Sequence, residues 1–323
     1  MAEALVKPYL DLRRATAARD RGLREKVMSL EDAAKLVKDG DHVGVGGSTI
    51  SRTPMAMIWA LVRARKQNLT VSRSITSTEG DIFLASGLSQ HIITSWFSQG
   101  IVWGVSRIMR HYTENKLARF DEWSHMSMGL RYRAGAMGLP FMPTRAMIGS
   151  DVGEQVKDQV RALTCPFTGE PLLLLPALNP DVALIHVQRA DPFGNAQLDG
   201  LQFLDIDLAM AANRVILTTE RIVSNEQIRR TPHLTRIPFF TVEAVVEVPF
   251  GCAPHECYGL YEPFFAQLDL YAGVTKEKDP VAAVKRYLDA YYYGPKSWTD
   301  YLAMLGLDAV LDASRRGRSV TND

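Results

Sequence analysis

KDGDHVGVGGSTISRTP, residues 38–54, leaves a helix-like run, crosses the apolar Val43 and Val45, and empties into Gly46, Gly47, hydroxyl residues, Arg52 and Pro54. Pro54 suits a first helical position with Thr53 as its cap, so the stretch predicts a strand, a bare-backbone turn and a helix. Amides at such a junction can cradle an anion or a developing oxyanion. The same glycines also serve a tight turn that needs them only for backbone freedom.

Familiar phosphate motifs do not fit. A dinucleotide fingerprint wants a third glycine where Thr49 stands, and an acidic residue about 20 positions on, where Lys66, Gln67 and Arg73 lie instead. A phosphate loop of the nucleoside triphosphate type wants Lys and Ser/Thr after its last glycine, and Gly47 has no such sequel.

Working outward, 37 Lys and Arg against 36 Asp and Glu in 323 residues leave a net charge of +1, so no overall field draws nucleic acid or an anionic membrane. No apolar run approaches the roughly 20 residues of a membrane span, and the N-terminus lacks a signal-peptide core, which together predict a cytoplasmic protein. Three cysteines, Cys165, Cys252 and Cys257, read as free thiols.

Residues 1–26, with Leu5, Leu10, Leu12 and Leu23 sparse among charges, predict a helical arm. Ser29 to Asp32 resembles a capping box that opens the domain proper, and Gly40 can end its helix. Apolar strands then alternate with helices over 54–66, from 81, over 106–117 and 124–137. VALIHVQRA, RVILTTERIV and FFTVEAVVEV continue the style. That alternation predicts an α/β fold, an open and mainly parallel sheet covered by helices. The expected division is the arm followed by one domain, 27–323, whose C-terminal tail is helical from residue 279. Residues 149–180, polar and rich in Pro and Gly, predict an irregular surface excursion.

Asp39-Gly40, Val43, Gly46-Gly47-Ser48 and Pro54 resemble the N-terminal signature of the family I CoA-transferases, whose usual form has Phe at the place of Ser48 and Gly at that of Arg52. Arginine there is similar to the glutaconate CoA-transferase branch. The likeness continues through SRIMR (106–110), GLPFMPTRAMIGSD (138–151), DVALIHVQRADPFGN (181–195), ERIVSNEQIRR (220–230) and VVEVPFGCAPHECYGLYEPF (245–264). It covers roughly 27–305 and lies with the α (A) subunit.

The resemblance implies the family's NagB/RpiA-like fold and a ping-pong transfer of CoA between carboxylic acids, CoA entering as an acyl-CoA substrate with no tightly bound cofactor. It implies a β (B) subunit carrying the nucleophilic glutamate, and an αβ or α2β2 assembly. No catalytic nucleophile is then expected in this chain. Gly46 and Gly47 would stand beside the carbonyl oxygen that becomes negative, where each donor is worth about 3 to 4 kcal/mol. Ser48 adds a hydroxyl, and Arg52 a clamp for a diacid carboxylate. An α subunit of a hydrolase that opens a cyclic, steroid-type CoA ester remains an alternative, as does a binding protein for a CoA ester or sugar phosphate.

Glu79, in Glu79-Gly80-Asp81, is a candidate base or a helix-start carboxylate. Ser98, Gln99 and Gly100 end a strand and are candidate pocket-lining residues or an ordinary turn. His125 aligns with a glutamate of the ring-opening hydrolases and is a candidate assistant or a capping residue. Trp59, Trp96, Phe97 and Trp103 would suit a larger acyl group if they line the pocket, whereas Trp123, Met126, Met128 and Met137 read as core. Cys252, His255 and Cys257 find no fourth ligand at zinc-like spacing, so no metal site is expected.

Overall fold

Short runs of β-branched and aliphatic residues lie side by side in one main sheet of nine strands. The computed structural model describes residues 9–100 and 102–319; Leu5 and the start of the arm lie outside the described residues. Seven strands remain once the two short antiparallel ones, Ala196–Gln197 and Thr235–Ile237, are set aside. They are β1 (His42–Val45), β2 (Leu69–Ser72), β3 (Ser89–Thr94), β4 (Arg119–Glu122), β5 (Val182–Ala190), β6 (Arg214–Ile222) and β7 (Val242–Glu247). All seven run parallel in the order β4-β3-β2-β1-β5-β6-β7.

Both faces of this sheet are covered, as near-continuous apolar strands require. Val43, Val71, Ile92, Leu184 and Ile216 face one core with the helices Met55–Arg63 and Thr78–Ala85. Ile93, Ala183, Ile185, Val215 and Leu217 face a second core with the helices His125–Ala136 and Asp205–Ala211. Ser29 caps the helix Leu30–Lys35 through the Asp32 amide, as its sequence pattern predicts. Thr53 does not cap its helix: its hydroxyl donates to the Thr49 carbonyl and receives Arg73. The arm contains a helix over Tyr9–Ala17.

Residues 149–180 are more ordered than expected. Pro171–Pro176 pairs antiparallel with both Phe141–Thr144 and Arg161–Thr164, and Cys165 to Glu170 closes the turn between the last two. The strand Arg161–Thr164 is exposed at every residue, so it lacks the apolar alternation by which a strand is read.

Strand order reverses between β1 and β5, and in such sheets the loops diverge there to leave a crevice at the carboxyl ends. Here the chain fills its own crevice. Arg52, only 1% exposed, forms an ion pair with the equally buried Asp205 and donates to the carbonyls of His186 and Leu201. The other carboxylate oxygen of Asp205 accepts the Gly47 amide at 2.7 Å, while the Gly46 amide donates to the Leu184 carbonyl at 2.8 Å. The expectation that these two amides stand bare, with Arg52 free to clamp a diacid, is corrected: all three are consumed internally.

The glycines are still required. A Cβ on Gly46 would come within 2.9 Å of Asp205 Oδ1, and Gly47 has φ 75° with a would-be Cβ 2.3 Å from the Ser51 carbonyl oxygen. The anion that needs a naked backbone is the protein's own carboxylate.

A second buried carboxylate anchors the loop after β3. Asp81 accepts from Ser106, from Gln99 at 3.0 Å and from Tyr271 at 3.2 Å. The expected pocket-lining role of Ser98, Gln99 and Gly100 gives way to the ordinary turn. Gln99 points inward at Asp81, and Ser98 Oγ accepts the Gly100 amide. Burial raises the Asp81 carboxyl to about 7, against the pull of its three donors.

Two outcomes follow from these pairs. Asp205→Ala leaves a buried guanidinium uncompensated and should cost about 3–5 kcal/mol in urea unfolding, whereas replacing Arg52 and Asp205 together by Met and Leu should recover most of that loss. Asp81 has a folded pKa above its unfolded one, so its stabilising contribution is whole below about pH 4 and is lost as pH rises towards about 7. Unfolding measured across that window should show wild type losing on the order of 2–4 kcal/mol relative to Asp81→Asn; parallel curves would contradict the assignment.

Candidate active site

With the crevice closed, the carboxyl ends of β1 to β4 carry the accessible chemistry. After Gly47 the chain makes a tight antiparallel finger: Ser48 and Ser51 exchange backbone hydrogen bonds at 2.9 and 2.7 Å, with Thr49 and Ile50 at its tip. Thr49 takes φ 49° and Arg52 φ 52°, left-handed conformations that cost a non-glycine residue energy and are held by what surrounds them. The finger leans on the segment after β7: Glu256 donates its amide to the Ile50 carbonyl and accepts the Arg52 amide, each at 2.9 Å. The tip amides of Thr49 and Ile50 engage none of the described residues.

A second group forms where β2, β3 and β4 end. His125 Nδ1 lies 2.7 Å from Ser95 Oγ and 3.2 Å from Ser74 Oγ, and the two hydroxyls are 2.8 Å apart. Ser95 Oγ donates to the Ser74 carbonyl, so its lone pairs receive the Nδ1 proton and the Nε2 lone pair remains for other partners. His125 is the first residue of its helix and is exposed, while the capping role belongs to Ser124. Around it Trp96 is 50% and Met126 65% exposed.

Other candidates fall inward. Glu79 is fully buried in the first turn of its helix, ion-paired with Arg73 and accepting the Ser77 amide. Trp59 and Phe97 are buried core residues and Trp103 binds Asp269, leaving Trp96 as the exposed one of the four proposed aromatics. Trp123 and Met128 are core as expected, but Met126 and Met137 are exposed.

Ser74, Ser95 and Glu256 do not stand out in the sequence. The signal for the serines is positional, since each stands just beyond the carboxyl end of a strand. Glu256 is a half-buried carboxyl that burial pushes above the ordinary range, opposed by a hydrogen bond with Ser51. Cys252 and Cys257 meet His186 and Glu220 in space, leaving His255 out of the group. His255 is buried with neither ring nitrogen partnered among the described residues, and burial, then the charge of Arg73, drops it to about 3.

Comparison with known proteins supplies the frame for this site. Residues 27–248 match the family model for coenzyme A transferase. The α (A) subunit of glutaconate CoA-transferase from Acidaminococcus fermentans is 32% identical over 89% of this chain and 94% of its own. The crystal structure of that enzyme superposes with a TM-score of 0.84 over 89% of this chain and 95% of the other. The corresponding (A) subunit of 3-oxoadipate CoA-transferase from Pseudomonas knackmussii is 30% identical over 87% and 98% of the two chains. An uncharacterized protein of Archaeoglobus fulgidus is 35% identical over 92% of this chain, which spans 66% of that protein's length. A mainly parallel sheet wrapped by helices, a glycine-dependent finger after its first strand, and a likeness running nearly end to end in both sequence and structure together make this chain a member of the coenzyme A transferase family.

Proposed function

We propose that the chain is the α subunit of a heteromeric acyl-CoA:carboxylate CoA-transferase, joined with a β subunit in an α2β2 complex and working in the cytoplasm. The observation that carries this reading is the near end-to-end likeness to the α (A) subunit of glutaconate CoA-transferase, in sequence and in structure. In the reaction, a β-subunit glutamate attacks the thioester carbonyl and expels CoA thiolate, leaving a mixed anhydride. The thiolate then attacks the glutamyl carbonyl, releasing the first acid and forming glutamyl-CoA. A second carboxylate takes the place of the first and the steps reverse.

This chain supplies the surroundings of the acyl group. The free amides of Thr49 and Ile50, and not those of Gly46 and Gly47, are the donors that meet the developing oxyanion. Gly46, Gly47, Ser48 and Arg52 set the angle of that finger. His125, steadied by Ser95 and Ser74, reaches the substrate as a hydrogen-bonding group, and exposed Trp96 offers apolar surface to the acyl chain.

The test uses the chain co-expressed with its partner and given an acyl-CoA and a free acid. CoA should pass to the second acid, and borohydride added with acyl-CoA alone should inactivate the complex by reducing the glutamyl thioester. Hydrolytic opening of a cyclic acyl-CoA with its thioester left intact, no acceptor acid needed and no borohydride sensitivity, would favour the ring-opening hydrolase. His125→Ala should lower kcat/KM by about 10²-fold, and Ser95→Ala, which spares the imidazole but removes its anchor, by about 10-fold. Unchanged kinetics in both variants would remove His125 from the site.

A further inference from the structure

Four metal-capable side chains from separate parts of the chain meet beneath the finger. His186 comes from β5, Glu220 from β6, and Cys252 and Cys257 from the segment after β7. One donor atom of each lies within 4.8 Å of the others. Three of the residues are completely buried, and the Glu220 side chain is 9% exposed. We propose that these four residues form a structural site for one zinc-class divalent cation, which fixes the segment 250–261 and through it the active-site finger.

The donor set argues for the ion. Two sulfurs, an imidazole and a carboxylate suit a borderline-soft, tetrahedral cation, and calcium or magnesium would demand oxygen throughout. Bonds of about 2.0–2.3 Å place neighbouring ligands roughly 3.3–3.8 Å apart, so the group closes onto an ion by side-chain shifts of about an ångström.

The outer contacts argue for it independently. Metal-bound imidazoles and carboxylates are oriented by a second ring of hydrogen bonds. Glu220 accepts the amides of Phe250 at 2.7 Å and Gly251 at 3.0 Å and the Tyr261 hydroxyl at 2.5 Å. His186 Nδ1 lies 2.8 Å from Thr218 Oγ1. His186 Nε2 faces Glu220 Oε1 at 2.9 Å, and the tautomer that gives Nδ1–H to the Thr218 hydroxyl leaves the Nε2 lone pair for an ion. Two thiolates and one carboxylate around a divalent ion leave one negative charge, and Arg52 lies near enough to act on both cysteines.

The mechanical consequence is local. Glu256 stands between the two cysteines' ends of this segment and is bonded to the finger at Ile50 and Arg52. An ion joining the segment to β5 and β6 would fix the finger's outer rail.

The experiment measures metal in the full chain co-expressed with its partner and purified without chelator. Elemental analysis should find about one zinc per chain in wild type and in Cys165→Ser, and none in the Cys252→Ser/Cys257→Ser double variant. Chelation should lower Tm, and cobalt added in place of zinc should give thiolate charge-transfer absorption. Should the double variant not fold, the metal content, cobalt spectrum and chelator response of wild type decide alone. Protein that stays metal-free after zinc supplementation, that yields a Cys252–Cys257 disulfide, or whose trace metal survives in the double variant overturns the proposal.

Discussion

The buried ion pair between Arg52 and Asp205 is the constraint on which the site is built. Desolvating both charges is costly, and the cost is met because the guanidinium also reaches two carbonyls while the carboxylate takes the Gly47 amide. The pair fastens the loop after β1 to the helix that follows β5, across the point where strand order reverses. It also holds Arg52 in a left-handed backbone conformation, from which the finger projects. An apolar pair of similar size could fill the volume, but it would not receive the Gly47 amide.

Closing the crevice from within moves the chemistry outward. The strand ends after β2, β3 and β4 carry Ser74, Ser95 and His125, while the inner polar layer of Arg73, Glu79, Asp81 and Gln99 is spent on holding loops. The sheet's carboxyl edge therefore has two polar shells. The inner one is dry and structural, and in the outer one His125 is exposed beside Trp96 and Met126 with Ser95 half-buried and Ser74 buried beneath it.

The alternation of apolar strands and helices could be read along the chain because the central strands β1 and β5 are buried almost throughout and helices return the chain between most successive strands. The small antiparallel sheet at 141–176 could not, since Arg161–Thr164 has no buried face. Arg52 looks like a ligand clamp in the sequence because its true partner lies 153 residues away, beyond the reach of any local pattern. The same holds for His186 and Glu220, which strand pairing between β5 and β6 sets side by side, and for the two cysteines that join them from beyond β7. Gly46 and Gly47 are legible as places where an anion approaches the backbone, yet sequence does not say whose anion it is. Ser95 and Ser74 escape notice since a hydroxyl acquires meaning only when an imidazole is brought to it.

The strand order has a consequence for synthesis. β1 lies at the centre of the sheet, so the portion made first, β1 to β4, is a half-sheet whose inner border is a row of unsatisfied peptide groups in an apolar strand. Only Val182–Ala190 can cover that border, and the ribosome must first deliver the whole excursion that precedes it. Until then the nascent chain carries a sticky seam in what becomes its most protected place, a hazard for chaperones to manage and not for the finished enzyme.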